Sequence, residues 1–170
     1  MMNKWMPILI AVLTGCCLAF GQVPATETDS RNGFSATVML TKKPEEFVRK
    51  WATASASSKL TIETPKEVHL GEYVAALVFF RGCRTGVDSC RVYVDFELVA
   101  PDGSIRHRVP DRDGTAQPQP RMELAYLSRA IVQFQFKPGD PLGQYWIKAT
   151  VREPANGNIL HVSEKIRVVQ

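Results

Sequence analysis

From residue 59 onward, apolar and polar positions alternate in period two, and turn residues break the alternation roughly every ten positions. The cleanest stretch is "CRVYVDFELVA". Val92, Val94, Phe96 and Leu98 point one way, and Arg91, Tyr93, Asp95 and Glu97 point the other, as in a strand with one face in a core and one in water. "AIVQFQF" buries Val132, Phe134 and Phe136 by the same rule, and "QYWIKATVRE" turns Tyr145, Ile147, Ala149 and Val151 inward. "EYVAALVFF" is apolar on both faces, which suits a central strand packed on two sides. "KLTIETP" and "ILHVSEKIRVV" read as further strands, the second closing the sheet.

The punctuation between these runs is equally legible. Pro101-Asp102-Gly103 forms a turn, because proline presets its φ and glycine accepts a positive one, and "SIRHRVP" returns antiparallel after it. "KPGDPLG" reverses the chain before Tyr145, and Asn156-Gly157 is the strongest hairpin signal present. Residues 110–121, with three prolines and no apolar pattern, read as the longest irregular connection. Ahead of the strands, "GFSATVML" is a first strand with Ala36, Val38 and Leu40 on one face. In "KPEEFVRKWA" the period changes: Pro44 suits a first helical turn, and Phe47 and Trp51 stand four apart on one side of a short helix. Seven or eight short strands and one short N-terminal helix define an all-β chain, an antiparallel β-sandwich of immunoglobulin-like type.

The first 21 residues belong to a different pattern. One positive charge at Lys4, an apolar run from Pro7 to Phe20 and small residues after it spell a signal peptide, too short to cross a bilayer comfortably. Two processing routes compete. Ala19-Phe20-Gly21 offers the small residues of a general cleavage site, whereas Leu13-Thr14-Gly15-Cys16 resembles a bacterial lipobox, in which Cys16 would carry lipid. The expected organisation is therefore residues 1–21 signal peptide, 22–32 a polar flexible lead, and 33–170 a single β-sandwich domain. The expected location is exported, periplasmic or secreted, with a membrane-tethered lipoprotein as the alternative.

Charge excludes one class of partner. Removing residues 1–21 takes away one lysine and no acid, leaving 20 basic against 17 acidic residues, a net +3. No block of five or six like charges occurs, and Arg81, Arg84, Arg91, Arg106 and Arg108 are interleaved with Asp88, Asp95, Glu97 and Asp102. That is a mixed solvated surface rather than a nucleic-acid face. Lys148, Arg152, Lys165 and Arg167 are read as guards near strand ends.

Two segments carry a resemblance. "APDGSIRHRVPD" and "GDPLGQYWIKATVREPANGNIL", in which Gly-x-Tyr opens a late strand, resemble the macroglobulin-type immunoglobulin-like domains of bacterial envelope proteins. They are also similar to small exported Gram-negative proteins with a "GC…C" segment and "DPLG". The resemblance spans roughly residues 60–168 and implies a fold and a compartment. The CxEQ thioester motif is absent from the chain, so the protease-trapping of macroglobulins is not implied.

Candidate chemistry is sparse. Cys83 and Cys90 are the cysteines that remain after cleavage at Gly21, and two thiols in an oxidising compartment pair. Metal ligation would need histidines at short spacing, yet His69, His107 and His161 are scattered, and no C-x-x-C motif points to redox work. A bridge closing that short loop is worth about 2.5 kcal/mol in the chain-entropy account. Asp111-Arg112-Asp113-Gly114 starts like a calcium loop, but Thr115, Gln119 and Met122 stand where later ligands belong. Ser104 near His107 lacks an acid and an oxyanion hole, and Asp95 and Glu97 read as surface carboxylates. No catalytic residue, cofactor or metal is expected.

What remains is surface. Trp146 falls on the polar face of its strand beside Lys148 and Thr150. It either lies under the helix, against Phe47 and Trp51 at one end of the sandwich, or is an exposed contact, and Tyr93 poses the same choice. Cover by the helix is the expectation. The reading is a non-catalytic exported envelope protein, a protein-binding or structural module, monomeric or weakly oligomeric, with Trp146, Tyr93 and Lys148 as the interaction surface. Its partner is an unknown envelope protein, not nucleic acid, and it meets a membrane only through a lipid at Cys16. The alternative is a small-ligand or glycan-binding domain built on loops 84–89 and 110–121, and a hydrolase stands third.

Overall fold

The structure, a computed structural model, describes residues 28–54, 60–83, 91–115 and 125–170. In chain order these form β1 (Thr28–Arg31), β2 (Phe34–Thr41), α1 (Pro44–Thr53), β3 (Glu67–His69), β4 (Tyr73–Arg81) and β5 (Tyr93–Val99). Then follow β6 (Ile105–Asp113), β7 (Tyr126–Gln135), β8 (Gly143–Glu153) and β9 (Asn158–Val169). One sheet has the order β1-β2-β4-β7 and the other β3-β9-β8-β5-β6. Neighbours are antiparallel except β3, which runs parallel to β9. After β2 the chain leaves the first sheet through α1 and enters the second as β3. The chain is an all-β, immunoglobulin-like sandwich with one short helix.

The alternating positions build the core as their period requires. Val94, Phe96, Ile147, Ala149 and Val151 of one sheet face Val38, Leu40, Val74, Ala76 and Phe134 of the other, all buried. Each of the valine, leucine, isoleucine and phenylalanine side chains among them contributes on the order of 1.5–3 kcal/mol through its removal from water. Tyr145 anchors the start of β8: its hydroxyl donates to the Pro141 carbonyl at 2.9 Å, and its ring meets Phe136 edge-on at 5.2 Å. This is the corner tyrosine common in immunoglobulin-like sandwiches. Burial, then the nearby Asp140 charge, pushes its phenol above the ordinary value.

α1 covers the outside of the four-stranded sheet. Pro44 sits in its first turn, Glu45 and Glu46 lie at its positive end, and Lys50 reaches back to Glu46 at 2.6 Å. Phe47 and Trp51 pack on Phe79, with ring centroids 5.9 and 5.3 Å away, in a cluster completed by Leu77, Leu127 and Ile131. This explains why β4 is apolar on both faces: one face meets the other sheet, and the second meets the helix.

Several expectations are corrected. Residues 28–31, inside the supposed flexible lead, form the edge strand β1, and Asp29 accepts the His161 N–H of β9 at 2.8 Å. "KLTIETP" is not a strand: its described residues 60–65 have no ladder partner, and Leu60 and Ile62 join the helix cluster instead. The irregular connection begins later than residue 110, because β6 continues to Asp113. β6 is an edge strand, where Pro110 needs no partner for a missing N–H. Two register shifts against β5 accommodate it. Lys148 and Arg152 stand on the interior strand β8, so they populate a face and guard no edge. The Asn156-Gly157 hairpin is present, with a short 3-10 turn over Pro154–Asn156 and Gly157 left-handed at φ 65°. The signal segment and Cys16 lie outside the described residues. Among those described, no helix is long and apolar enough to cross a membrane.

Candidate functional site

The two sheets differ in what lies outside them, and the outer face of β3-β9-β8-β5-β6, which no described segment covers, gathers the polar chemistry. Strand alternation sends Trp146, Lys148, Thr150 and Arg152 of β8 outward. In register across β9 stand Lys165, Ser163, His161 and Ile159; across β5 stand Val99, Glu97, Asp95 and Tyr93. The rows so formed change character along the strands. Trp146, Val99 and Ile105 make an apolar row at one end, with Trp146 38% and Ile105 48% exposed. The next rows are charged or hydroxylated.

Those charged rows surround a depression of about 640 Å³, lined by side chains including Asp95, Glu97, Arg108, Lys148, Thr150 and His161. Glu97 Oε1 accepts from Arg108 Nε at 2.9 Å and Nη2 at 2.8 Å. Arg152 Nη2 donates to Asp95 Oδ1 at 3.0 Å and to Asp111 Oδ1 at 2.9 Å, while its buried Nε has no partner. The Asp111 N–H also bonds Asp95, at 2.6 Å, which holds Asp111 at a positive φ of 52° within β6. Thr150 Oγ1 and His161 Nδ1 are 3.2 Å apart. Both carboxylates of β5 are thus engaged by arginines, whereas Lys148 has no ion pair or hydrogen bond through its side chain. At the end of β6, the Thr115 hydroxyl and N–H lower the Asp113 carboxyl below its ordinary value.

Of the surface residues expected from sequence, Trp146 and Lys148 come together, two positions apart on one strand face. Tyr93 does not join them: it pairs with Arg152 while Val99 pairs with Trp146, so six residues of β5, about 20 Å, separate it from the indole. The expected cover of Trp146 by the helix is overturned. α1 packs on Phe79 of the four-stranded sheet, and Trp146 belongs to the outside of the opposite sheet.

The other candidate groups are dispersed. Ser104 Oγ donates to Asp102 Oδ1 at 2.7 Å, and the His107 ring lies edge-on to Phe134 at 6.0 Å, so the two do not form a nucleophile–base pair. The Ser104 hydroxyl and N–H hold the Asp102 carboxyl below its ordinary value. Among the described residues no three His, Cys, Asp or Glu gather where a cation could sit. Cys83 is buried at the end of the β4 segment, and Cys90 and loop 84–89 lie outside the described residues, as do residues 116–121.

Sequence reasoning missed a buried polar cluster beside Cys83. Glu153, 2% exposed, accepts from Asn156 Nδ2 and Asn158 Nδ2, each at 2.7 Å, and Cys83 Sγ lies 3.7 Å from its Oε1. Asn32, in the β1–β2 turn, donates to Asn158 Oδ1 at 3.2 Å. The cluster joins three turns at one end of the sandwich. Only the inward parity of Glu153, two positions after Val151, could have announced it.

No known protein family and no curated protein matches the chain. Among solved structures it is similar to a Niemann-Pick type C2 protein from Japanese carpenter ant, at 13% identity over 85% of this chain and 99% of that one, TM-score 0.42. It is similar to the C-terminal domain of wzt at 9% identity over 86% and 80%, TM-score 0.45. The CARDB domain of a Pyrococcus furiosus protein, in complex with di-metal ions, is similar at 14% identity over 82% and 92%, TM-score 0.40. At these identities and TM-scores the likeness says nothing of what this chain does.

Proposed function

We propose that the chain is a non-catalytic binding module of the cell envelope, exported to the periplasm or beyond, that holds a macromolecule against the outer face of its five-stranded sheet. The observation that carries this reading is Trp146, an indole 38% exposed on a face that no described segment of the chain covers. Exposed indoles cost solubility and are enriched where surfaces are recognised. A binding role without catalysis is supported by the engagement of Asp95 and Glu97 in ion pairs and by the separation of Ser104 from His107. Export is supported by the signal-like first 21 residues and the Cys83 and Cys90 pair, whose bridge belongs to the same proposal. Thiol titration of the unfolded, unreduced protein reads that bridge, and two free thiols would remove it.

The test of the face is oxidative footprinting. Trp146 is expected to oxidise several-fold more slowly in envelope extract than in buffer, with Trp51, which packs from the helix onto Phe79, as the internal control. Lys148→Glu should restore the rate. Equal oxidation of Trp146 in extract and buffer would discard the face as a binding surface.

A further inference from the structure

The open face is not uniformly charged. Three cations surround the Trp146 indole: Lys148 two positions along β8, Lys165 directly across on β9, and Arg167 diagonal to it, across from Gln144. All three are exposed, and none has a side-chain hydrogen bond or ion pair among the described residues. Two of the neighbouring acids are occupied, Glu97 by Arg108 and Asp95 by Arg152, while Glu67 of β3 stands across from Arg167, on the side of that cation away from the indole. An indole ringed by unpaired cations therefore continues, through Lys148, into the 640 Å³ depression. That depression mixes acceptors (Asp95, Glu97) with donors (Arg108, Lys148) and with groups that do both (Thr150, His161).

We infer that this strip binds an acidic carbohydrate, a chain of sugar rings bearing carboxylate or sulfate groups. The inference rests on the open face being the binding face. Each part of the strip selects against a simpler ligand. An apolar molecule would leave the lining of the depression unpaired. A small inorganic anion would face the carboxylates of Asp95 and Glu97. A polyhydroxylated ring supplies donors and acceptors together, and its C–H face suits the indole. Acid groups on that ring pair with Lys148, Lys165 and Arg167 without displacing any existing ion pair. An acidic protein segment would satisfy the cations and, through its backbone groups, part of the depression, but a glutamate chain offers no C–H ring face to the indole.

The experiment is a fluorescence titration of the purified protein with four probes: alginate, dextran sulfate, neutral dextran and poly-L-glutamate. Trp146→Phe identifies the indole signal. An acidic polysaccharide, alginate or dextran sulfate, should bind at least about tenfold more tightly than dextran or poly-L-glutamate, a difference of one good polar or stacked contact. Lys148→Ala in the same titration, and Trp146→Ala by calorimetry because it lacks the reporting indole, should each weaken it about tenfold with melting unchanged. Poly-L-glutamate binding as tightly as the polysaccharides would overturn the carbohydrate in favour of an acidic protein, and dextran doing so would overturn the role of charge. If neither acidic polysaccharide binds while Trp146 is still protected in envelope extract, the ligand class falls and the face stands. Loss of that protection as well removes both.

Discussion

The two outer faces of the sandwich carry a tryptophan each and treat it in opposite ways. On the four-stranded sheet, Trp51 and Phe47 close over Phe79, Leu77 and Leu127, and the face becomes a second core. On the five-stranded sheet, Trp146 stands among Lys148, Lys165 and Arg167, and no described segment covers the face. The difference is written in the strands beneath. β4 is apolar at every position from Val74 to Phe80, so its outer face must be covered, whereas β8 alternates strictly and its outer residues tolerate water. An aromatic residue is a stability element where a second layer exists, and recognition is the role proposed for it where no described layer lies above.

That contrast can be broken most sharply at Phe79. Phe79→Ala empties the space between α1 and β4, and urea unfolding should show a loss of about 3 kcal/mol, the cost of truncating a buried aromatic. Carbohydrate titration of the folded variant should be unchanged. A loss under 1 kcal/mol would mean that the helix contributes little and that the two faces are energetically alike.

The next effect depends on pH and belongs to the foot of the covered sheet. Glu72 Oε2 accepts from the His69 N–H at 2.8 Å and from Lys42 Nζ at 2.6 Å, tying the start of β4 to the link between β2 and α1. The His69 N–H first, then Lys42, holds this carboxyl down to about 2, from an ordinary value of 4.5. A depressed folded value means the contribution is present above 4.5 and is lost as pH falls toward 2. Glu72→Gln should therefore flatten the fall of melting temperature between those limits and converge with the wild type below them. Parallel curves for the two proteins would refute the link.

The smallest effect is the counterpart of the first. Trp146→Ala should change unfolding stability by no more than about 0.5 kcal/mol, as for a surface position, while weakening acidic-polysaccharide binding, read by calorimetry, about tenfold. If it destabilises as much as Phe79→Ala, the open face is structural and its indole is no recognition element.

Much of this architecture is legible in the order of residues, because period two assigns each side chain to a face without reference to any distant partner. Val92 to Leu98, Val132 to Phe136 and Tyr145 to Val151 are buried at the positions their parity demands. The turns at Gly103 and Gly157 fall where only glycine takes a positive φ at no steric cost. The candidate site was legible only residue by residue: Trp146 and Lys148 as outward neighbours, Tyr93 as outward but of unknown position. Parity says which way a side chain points and is silent on which strand lies beside it. Strand neighbours come from the packing of the whole chain, and that packing decided three things. It placed α1 on the four-stranded sheet, so the cover expected over Trp146 lies on the opposite side of the molecule. It set β9 beside β8 in the register that brings Lys165 and Arg167 to the indole. It made β6 an edge, where a segment with a proline and little apolar character still forms a strand, because its N–H and C=O groups need partners on one side only.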